Sequence, residues 1–452
     1  MRLPLVVLAC CEVILSLAAP WIVGLATGAR LHPTLAIAVQ DAVFAAAFVV
    51  GLTAVGLYSR RQRAPLVGIL LRNVAAAIGA VTAAWIVGLA WPGGGMRPLL
   101  ILASGAVTLC ATALGRLVFN RLVDEEFFKR RVLIYGSGQR AASLVQLRRR
   151  ADQRGFRLVA FVRTDEDKTA VPSDRVIALD EPLLAFCTAR GIEEVVVAMD
   201  DRRRAFPVHE LLECRLSGIA VIDIVDFLER ETGKVRLDVL NPSWIIFSPG
   251  FDRGWWRELS KRLFDVAASL ALLTVSWPLM LLAIIAIQIE DGVGAPVLYR
   301  QRRVGRNGRL FNVLKFRSMR VDAELPGRAV WAQKQDARVT RVGTAIRKFR
   351  VDELPQILNV LRGDMSFVGP RPERPEFVAE LEDRIPYYRE RHCVKPGVTG
   401  WAQLCYPYGS SEQDAAEKLQ YDLYYIKNHS LWFDVMILLQ TAEVVLWGQG
   451  AR

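Results

Sequence analysis

Four apolar runs crowd the start of the chain, at residues 3–26, 35–57, 74–91 and 99–118. Each approaches the ~20 residues that a helix needs to cross the hydrocarbon core of a bilayer. Inside that core only helices or closed barrels satisfy the backbone, so residues 1–120 are constrained to a four-helix transmembrane bundle. The loops between the runs alternate in charge. Residues 58–63 (Tyr-Ser-Arg-Arg-Gln-Arg) and 116–131 are basic, while 28–33 and 92–98 carry one Arg each. The positive-inside rule then puts both ends of the bundle in the cytoplasm. Glu12 falls inside the first run. An intramembrane carboxylate is either functional or structurally paired, and its nearness to the cytoplasmic end favours the structural role. The first run continues past a plausible cleavage site, so no cleavable signal peptide is expected.

The remaining length calls for further domains, since 452 residues exceed one ordinary unit. A hydrophobic content of 52% suits a membrane protein, and a net charge of +12 suits an anionic partner. The seven cysteines form no CxxC or zinc-like spacing, so reduced thiols and no structural metal are expected.

After Arg131 the composition turns soluble. Val132-Leu-Ile-Tyr-Gly136-Ser-Gly138-Gln-Arg-Ala141 reads as a buried strand, a Gly-rich turn and a helix start. Residues 158–162, 194–198 and 220–224 read as further strands, so residues 127–250 are expected to form an α/β Rossmann-like (CoA-binding-like) cytoplasmic domain. Gly136 and Gly138 weakly match a dinucleotide fingerprint, with Asp165 near the distance of a ribose-binding carboxylate. Two readings follow, a bound dinucleotide and a structural or regulatory domain, of which the second is preferred. The chain has no Tyr-x-x-x-Lys pair, which argues against a short-chain epimerase or reductase.

Residues 266–289 are apolar but interrupted by Ser276-Trp-Pro278. Arg253, Arg257, Lys261 and Arg262 precede them, and Arg300, Arg302, Arg303, Arg306 and Arg309 follow. A crossing helix would leave one basic cluster outside, against the charge rule. A re-entrant helix over 258–292, bent at Pro278, keeps both clusters in the cytoplasm. Its arms of about 12 residues reach ~18 Å, short of the ~30 Å core. The Ser276 hydroxyl could satisfy the carbonyl that proline frees. A kinked fifth transmembrane helix is the alternative. The apolar stretch 431–448 reads either as an in-plane interfacial helix or as a packed core helix.

Residues 293–452 are expected to be a mainly α catalytic domain. Asp352 and Glu353 stand together at an expected helix start, with Asp352 as N-cap, Pro355 in the first turn and Gly363 past the end. Arg347, Arg350 and Arg371 flank them, and Arg303, Lys315 and Arg317 lie in nearby basic segments. Carboxylates among guanidinium groups beside a helix N-terminus suit metal-dependent phosphate chemistry. Arginine set between glycines and prolines favours bidentate phosphate contacts. The plainer reading is that Asp-Glu merely complements the helix dipole. A nucleic-acid groove is disfavoured, because no stacking aromatics or recognisable module accompany the basic residues. Arg391, His392 and Tyr406 either line the site or serve the core and surface.

From about Lys261 onward the chain resembles the bacterial sugar transferase family, the monotopic polyprenol-phosphate phosphoglycosyl transferases. The matching stretches are Lys261-Arg-Leu-Phe-Asp265, the Pro278 break, Gln301-Arg-Arg-Val-Gly305, Lys315-Phe-Arg-Ser-Met319, Asp352-Glu-Leu-Pro-Gln356, Gly363-Asp-Met-Ser-Phe-Val-Gly-Pro-Arg-Pro372 and Lys395-Pro-Gly-Val-Thr-Gly-Trp401. With the N-terminal helices and middle domain it resembles the large form. Residues 240–247 are similar to a subgroup linked to exopolysaccharide export in exosortase-bearing bacteria.

The resemblance implies transfer of a hexose-1-phosphate from a UDP-hexose to undecaprenyl phosphate, releasing UMP, at the cytoplasmic side of a bacterial inner membrane. It implies Asp352 as the nucleophile that forms an acyl-phosphate sugar intermediate, and Mg²⁺ held by Asp352 and Glu353. Lys315, Arg347 and Arg371 match phosphate-binding positions, and membrane lipid surrounds the re-entrant helix. Two other readings stay open: a membrane-bound NAD-dependent sugar-nucleotide enzyme, and a non-catalytic scaffold of polysaccharide assembly. The hexose is not legible, and a homodimer is an expectation without a marker residue.

Overall fold

The four apolar runs form helices α1 (Leu3–Ala26), α2 (Leu35–Ala54), α3 (Leu66–Ala90) and α4 (Pro98–Leu122). They belong to a computed structural model that describes residues 3–28, 35–54, 57, 66–90, 98–122, 129–147, 155–164, 168–201, 206–240, 242–248, 250–251, 254–320, 338–406, 409 and 411–447. Helix α3 begins eight residues before the apolar run at 74, because Arg72 and Asn73 do not break it. Asn73 is buried and donates from Nδ2 to the Thr112 hydroxyl at 3.0 Å, which offsets the cost of placing an amide among apolar helices. Glu12 is also buried and pairs with Arg116, with Oε1 2.6 Å from Nε and Oε2 2.8 Å from Nη2. That pairing gives the carboxylate the structural role its position suggested.

Two compact units divide the chain, residues 1–227 and 228–452. In the first, β1 (Arg130–Tyr135), β2 (Phe156–Val162), β3 (Val176–Ile177), β4 (Glu194–Val197) and β5 (Ala220–Asp223) form a parallel sheet in the order β3-β2-β1-β4-β5. Val132, Leu133, Ile134 and Val195 to Val197 are buried in it, as unbroken apolar strands of a doubly covered sheet must be. Helices α5 (Gln139–Val145), α6 (Leu183–Ala189), α7 (Val208–Leu216) and α8 (Ile224–Thr232) connect and follow the strands. Strand β3 has only two residues and carries too short a pattern to be read from sequence.

The second unit takes in chain that reads, by sequence, as the end of the middle domain. Val235 is buried in its core, and the Val235 N–H donates to the Gln420 carbonyl at 3.0 Å. Helix α9 (Pro242–Phe247) is followed by α10 (Trp255–Asp291), whose 37 residues run through Pro278 with no non-helical residue. The expected break is thus a proline inside one helical element. The Ser276 hydroxyl meets the Met280 sulfur at 3.8 Å rather than a freed carbonyl.

Both arms of α10 pack on the same unit. Asp265 accepts from the Ser366 hydroxyl at 2.9 Å and the Phe367 N–H at 3.1 Å. At the other end Ala283 and Ile287 are buried against Phe316, Ile346 and Val351. Between them Leu270, Val275, Trp277 and Leu282 are exposed.

The rest is mainly helical and also carries two small sheets. An antiparallel hairpin, β6 (Leu298–Val304) and β7 (Leu310–Phe316), precedes α11 (Arg341–Lys348) and α12 (Gln356–Arg362). A short parallel pair follows, β8 (Ser366–Val368) with β9 (Gly397–Thr399), separated by α13 (Pro375–Arg384). Helices α14 (Trp401–Cys405), α15 (Glu412–Asn428) and α16 (Leu431–Trp447) complete the unit. Ile437 of α16 is fully buried in the main core, and the Asp434 side chain is tied to Lys261, so this helix packs at least one face against the unit.

Candidate active site

Side chains directly opposite in an antiparallel ladder share a face. Arg303 stands opposite Phe311, Gln301 opposite Val313, and Tyr299 opposite Lys315, so the hairpin aims Arg303 and Lys315 to one side. Arg302, opposite Asn312, faces the other way. Arg303, Val313 and Lys315 line a narrow cleft together with Gln356, Arg371 and Pro372. Asn359 sets this arrangement. It is fully buried on α12, accepts from the Leu314 N–H at 3.0 Å and donates to the Asn312 carbonyl at 2.8 Å. Sequence reading passed over Asn359, although a lone amide between the apolar Ile357 and Val360 was a signal for a buried polar tie.

The acid pair enters from the segment before α12. Asp352 is not the helix N-cap. It and Glu353 sit in a 3-10 turn, Val351–Glu353, one turn ahead of a helix capped by Pro355, and neither side chain caps it. Gly363 ends α12 in the left-handed region (φ 92°), as expected. The turn is introduced by Arg350, which holds a positive φ of 56° without being glycine. Such strain persists only where surrounding contacts impose it; here the Arg350 guanidinium bonds Glu353 Oε2 at 3.3 Å.

Glu353 is the hub. Its Oε1 lies 3.0 Å from Lys315 Nζ and 3.6 Å from Arg371 Nη2. Burial alone would push its carboxyl up, but Lys315, Arg371 and Arg350 together hold it down at about 2. Burial and the neighbouring Arg371 pull Lys315 below its ordinary value against the attraction of Glu353.

Asp352 is different in kind. It is buried, yet among the described residues it makes no hydrogen bond or close ion pair. Burial and the adjacent Glu353 raise its carboxyl above the ordinary value, against the pull of Lys315, Arg347 and Arg350. A carboxylate with both oxygens uncommitted, amid fixed cations, is poised to attack phosphorus or bind a cation. Arg347 reaches this environment from the last turn of α11.

Arg371 is delivered by two loops in close approach. The Gly369 N–H donates to the Thr399 carbonyl at 3.0 Å, and the Gly397 N–H to the Pro370 carbonyl at 2.9 Å. A Cβ on Gly369, Gly397 or Gly400 would strike the opposing backbone, which accounts for the glycines of both motifs. Arg371 also bonds Gln403 at 3.3 Å. Behind it the buried Arg391 bonds Asp422 at 2.8 and 3.1 Å, the Tyr388 hydroxyl at 2.6 Å and the Arg371 carbonyl at 3.1 Å. Arg391 is thus a core pillar. His392 is pushed down to about 4 by burial and by Arg391, so it is neutral near pH 7. Tyr406 bonds Asp414 at 2.8 Å.

Arg317 is not gathered with the acid pair. Its guanidinium bonds Asp291 at 2.7 Å, at the end of α10, and it is buried there. Arg303 lines the cleft, bonding the Pro372 carbonyl at 3.1 Å. In the other unit Gly136 has a positive φ of 128°, and a Cβ there would lie 2.7 Å from the Ala198 carbonyl. A Cβ on Gly138 would strike Asp200. Asp200 accepts from the Gln139 and Arg140 N–H groups at 2.8 and 2.9 Å, so the chain's own carboxylate occupies the amides that a pyrophosphate would use. Asp165 lies outside the described residues.

Among the described residues no three His, Cys, Asp or Glu side chains converge as a metal cage. Magnesium in phosphoryl-transfer sites takes one or two carboxylates and completes its shell with phosphate oxygens and water. The open oxygens of Asp352, beside Glu353, fit that donor set.

Comparison with known proteins meets this geometry. The family model for the bacterial sugar transferase matches residues 256–448, the stretch that builds the cleft. A UDP-glucose:undecaprenyl-phosphate glucose-1-phosphate transferase of Xanthomonas campestris pv. campestris is 34% identical over 362 residues, covering 77% of this chain and 73% of its own. The chain belongs to the bacterial sugar transferase family. An undecaprenyl-phosphate glucose phosphotransferase of Komagataeibacter xylinus is 32% identical, covering 81% of this chain and 69% of that protein. A UDP-N-acetylgalactosamine-undecaprenyl-phosphate N-acetylgalactosaminephosphotransferase of Aeromonas hydrophila is 43% identical, over 54% of this chain. This chain spans 56% of the Aeromonas protein's length.

Proposed function

We propose that the protein transfers a hexose-1-phosphate from a UDP-sugar to undecaprenyl phosphate at the cytoplasmic face of a bacterial inner membrane, as the initiating step of exopolysaccharide synthesis. The observation that carries the reading is Asp352, a buried carboxylate that makes no hydrogen bond among the described residues and stands beside Glu353, whose own oxygens are held by Lys315, Arg350 and Arg371. One carboxylate is free to react and the other is fixed as a scaffold for cations.

In the first step an Asp352 oxygen attacks the sugar-linked phosphorus. The bond from that phosphorus to the bridging oxygen breaks, and UMP leaves with the electron pair. An oxygen of undecaprenyl phosphate then attacks the same phosphorus, the bond to Asp352 breaks, and the carboxylate is restored. Exchange of one phosphoanhydride for another has little driving force, so catalysis is positioning and charge stabilisation. Arg303, Lys315, Arg347 and Arg371 offset the repulsion between anionic reactants, and Glu353 keeps Lys315 and Arg371 from drifting. Mg²⁺ held by Asp352 and Glu353 would neutralise diphosphate charge.

Helix α10 supports the membrane setting. Its two arms pack on one unit while its middle is apolar and exposed, which suits a helix that enters and leaves one leaflet. Among the described residues five helices are long and apolar enough to cross a bilayer, and this reading takes four of them across.

The test is UMP release by the purified full chain with Mg²⁺, undecaprenyl phosphate and a panel of UDP-sugars, beside Asp352→Asn. A panel is required because the relatives' names specify glucose in two cases and N-acetylgalactosamine in a third. UMP that depends on lipid and one sugar, and disappears in the variant, is the expected result. UMP formation undiminished by Asp352→Asn would overturn the reading.

A further inference from the structure

A second cationic cavity, of about 300 Å³, opens at the foot of the first arm of α10, where no step of the proposed chemistry uses it. Arg257, Lys261, Arg262, Arg306 and Lys395 line it, against Glu258 and Asp265. Most of these groups are already engaged. Lys261 bonds Asp434 at 2.6 Å, Arg262 caps α12 through the Val360 and Leu361 carbonyls at 2.6 Å each, and Arg306 bonds Glu258 at 2.5 Å. Asp265 is turned onto Ser366 and Phe367.

Lys395 is the exception. Its half-buried ammonium makes no hydrogen bond or ion pair among the described residues, and burial, with Arg262 and Arg306 beside it, pulls it below its ordinary value. The Nε of Arg306 is likewise buried without a hydrogen-bond partner among the described residues. Cations crowded together with donors unspent are what an anion site looks like before the anion arrives.

Position names the anion. Trp255 and Trp256 stack with ring centroids 3.8 Å apart, and both are exposed, as are Leu259 and Leu263 one and two turns on. This apolar, aromatic stripe on the arm that bears the cavity is the signature of a headgroup-level interface. The acceptor phosphate is not the occupant. Arg262 binds the C-terminal end of α12, and Asp352 precedes its other end, so the cavity and nucleophile are separated by a seven-residue helix of ~10 Å.

We propose that this cavity binds the phosphate of an anionic membrane phospholipid, with Lys395 and Arg306 as its donors, as a lipid site distinct from the catalytic cleft. The proposal rests on the reading of α10 as a one-leaflet helix. Its test reads binding alone, so it is independent of the transferase reading.

The full chain in a neutral detergent is titrated with short-chain phosphatidylglycerol, phosphatidylcholine or inorganic phosphate, and bound lipid is counted by native mass spectrometry. One phosphatidylglycerol is expected to bind well ahead of phosphatidylcholine. Lys395→Gln should weaken it about tenfold, as expected for losing one charged hydrogen bond, whereas Lys395→Arg and Asp352→Asn should retain it. Equal binding of the two lipids, unchanged binding by Lys395→Gln, or saturation by inorganic phosphate at the same concentration would each overturn the proposal. Circular dichroism of each variant distinguishes a lost site from a lost fold.

Discussion

Replacing Glu353 by Gln keeps the shape of the hub and removes its charge. In the native protein that carboxylate lies 3.0 Å from Lys315, 3.3 Å from Arg350 and 3.6 Å from Arg371. Its fall from an ordinary 4.5 to about 2, at about 1.4 kcal/mol per pH unit, corresponds to about 3 kcal/mol favouring the charged, folded arrangement. A membrane protein of several units does not unfold in two states, so the readout is local: amide hydrogen exchange across residues 351–362. Opening of that segment should become easier by about 3 kcal/mol in Glu353→Gln, so exchange near pH 7 should be roughly 100-fold faster. The folded-state value lies below the ordinary one, so the stabilisation is complete above about pH 4.5 and is lost as pH falls toward 2. Near pH 3 the difference from the native protein should shrink to about tenfold. A difference under threefold at pH 7, or one that does not shrink with acid, would refute the electrostatic account of the hub.

Further consequences concern the groups around it. Burial and Glu353 raise Asp352, so the acid limb of the kcat/KM profile should lie above the ordinary carboxylate value of 3.8, and in Glu353→Gln the residual activity should show that limb moved to lower pH. Asn359→Ala leaves the Leu314 N–H and Asn312 carbonyl unpaired, which should ease local opening by about 2 kcal/mol, read as amide hydrogen exchange roughly 30-fold faster across residues 310–316. Arg391→Met strands Asp422 and should ease local opening around it by about 3–5 kcal/mol, read by amide hydrogen exchange across residues 419–426. Adding Asp422→Leu should recover most of that stability but not activity, because the Arg371 carbonyl still lacks its donor.

Much of this architecture was legible because it rests on strong, local patterns. The apolar runs dictate helices wherever a bilayer is the solvent, and the strands at 132–135, 158–162, 194–197 and 220–223 are apolar or β-branched enough to stand out. The hairpin of β6 and β7 was missed because Arg300, Arg302 and Arg303 fill the middle of β6 and read as a basic loop. The acid pair was found by its neighbours in sequence, yet its 3-10 geometry depends on Arg350 adopting a positive φ, which no local preference announces. Arg317 shares a motif with Lys315 but is two residues on and beyond the strand, where Asp291 captures it. Asn359, Gln403 and Arg391 act through long-range contacts, and only the folded chain brings those together.

The most direct test of the central claim is to incubate the full chain with its UDP-sugar and no lipid acceptor, then look for UMP and for mass added to the peptide that carries Asp352. The account predicts close to one equivalent of UMP per active site and a hexose-phosphate adduct on Asp352, discharged when undecaprenyl phosphate is added. Turnover that proceeds with lipid present, but with neither burst nor adduct in its absence, would contradict a covalent role for Asp352.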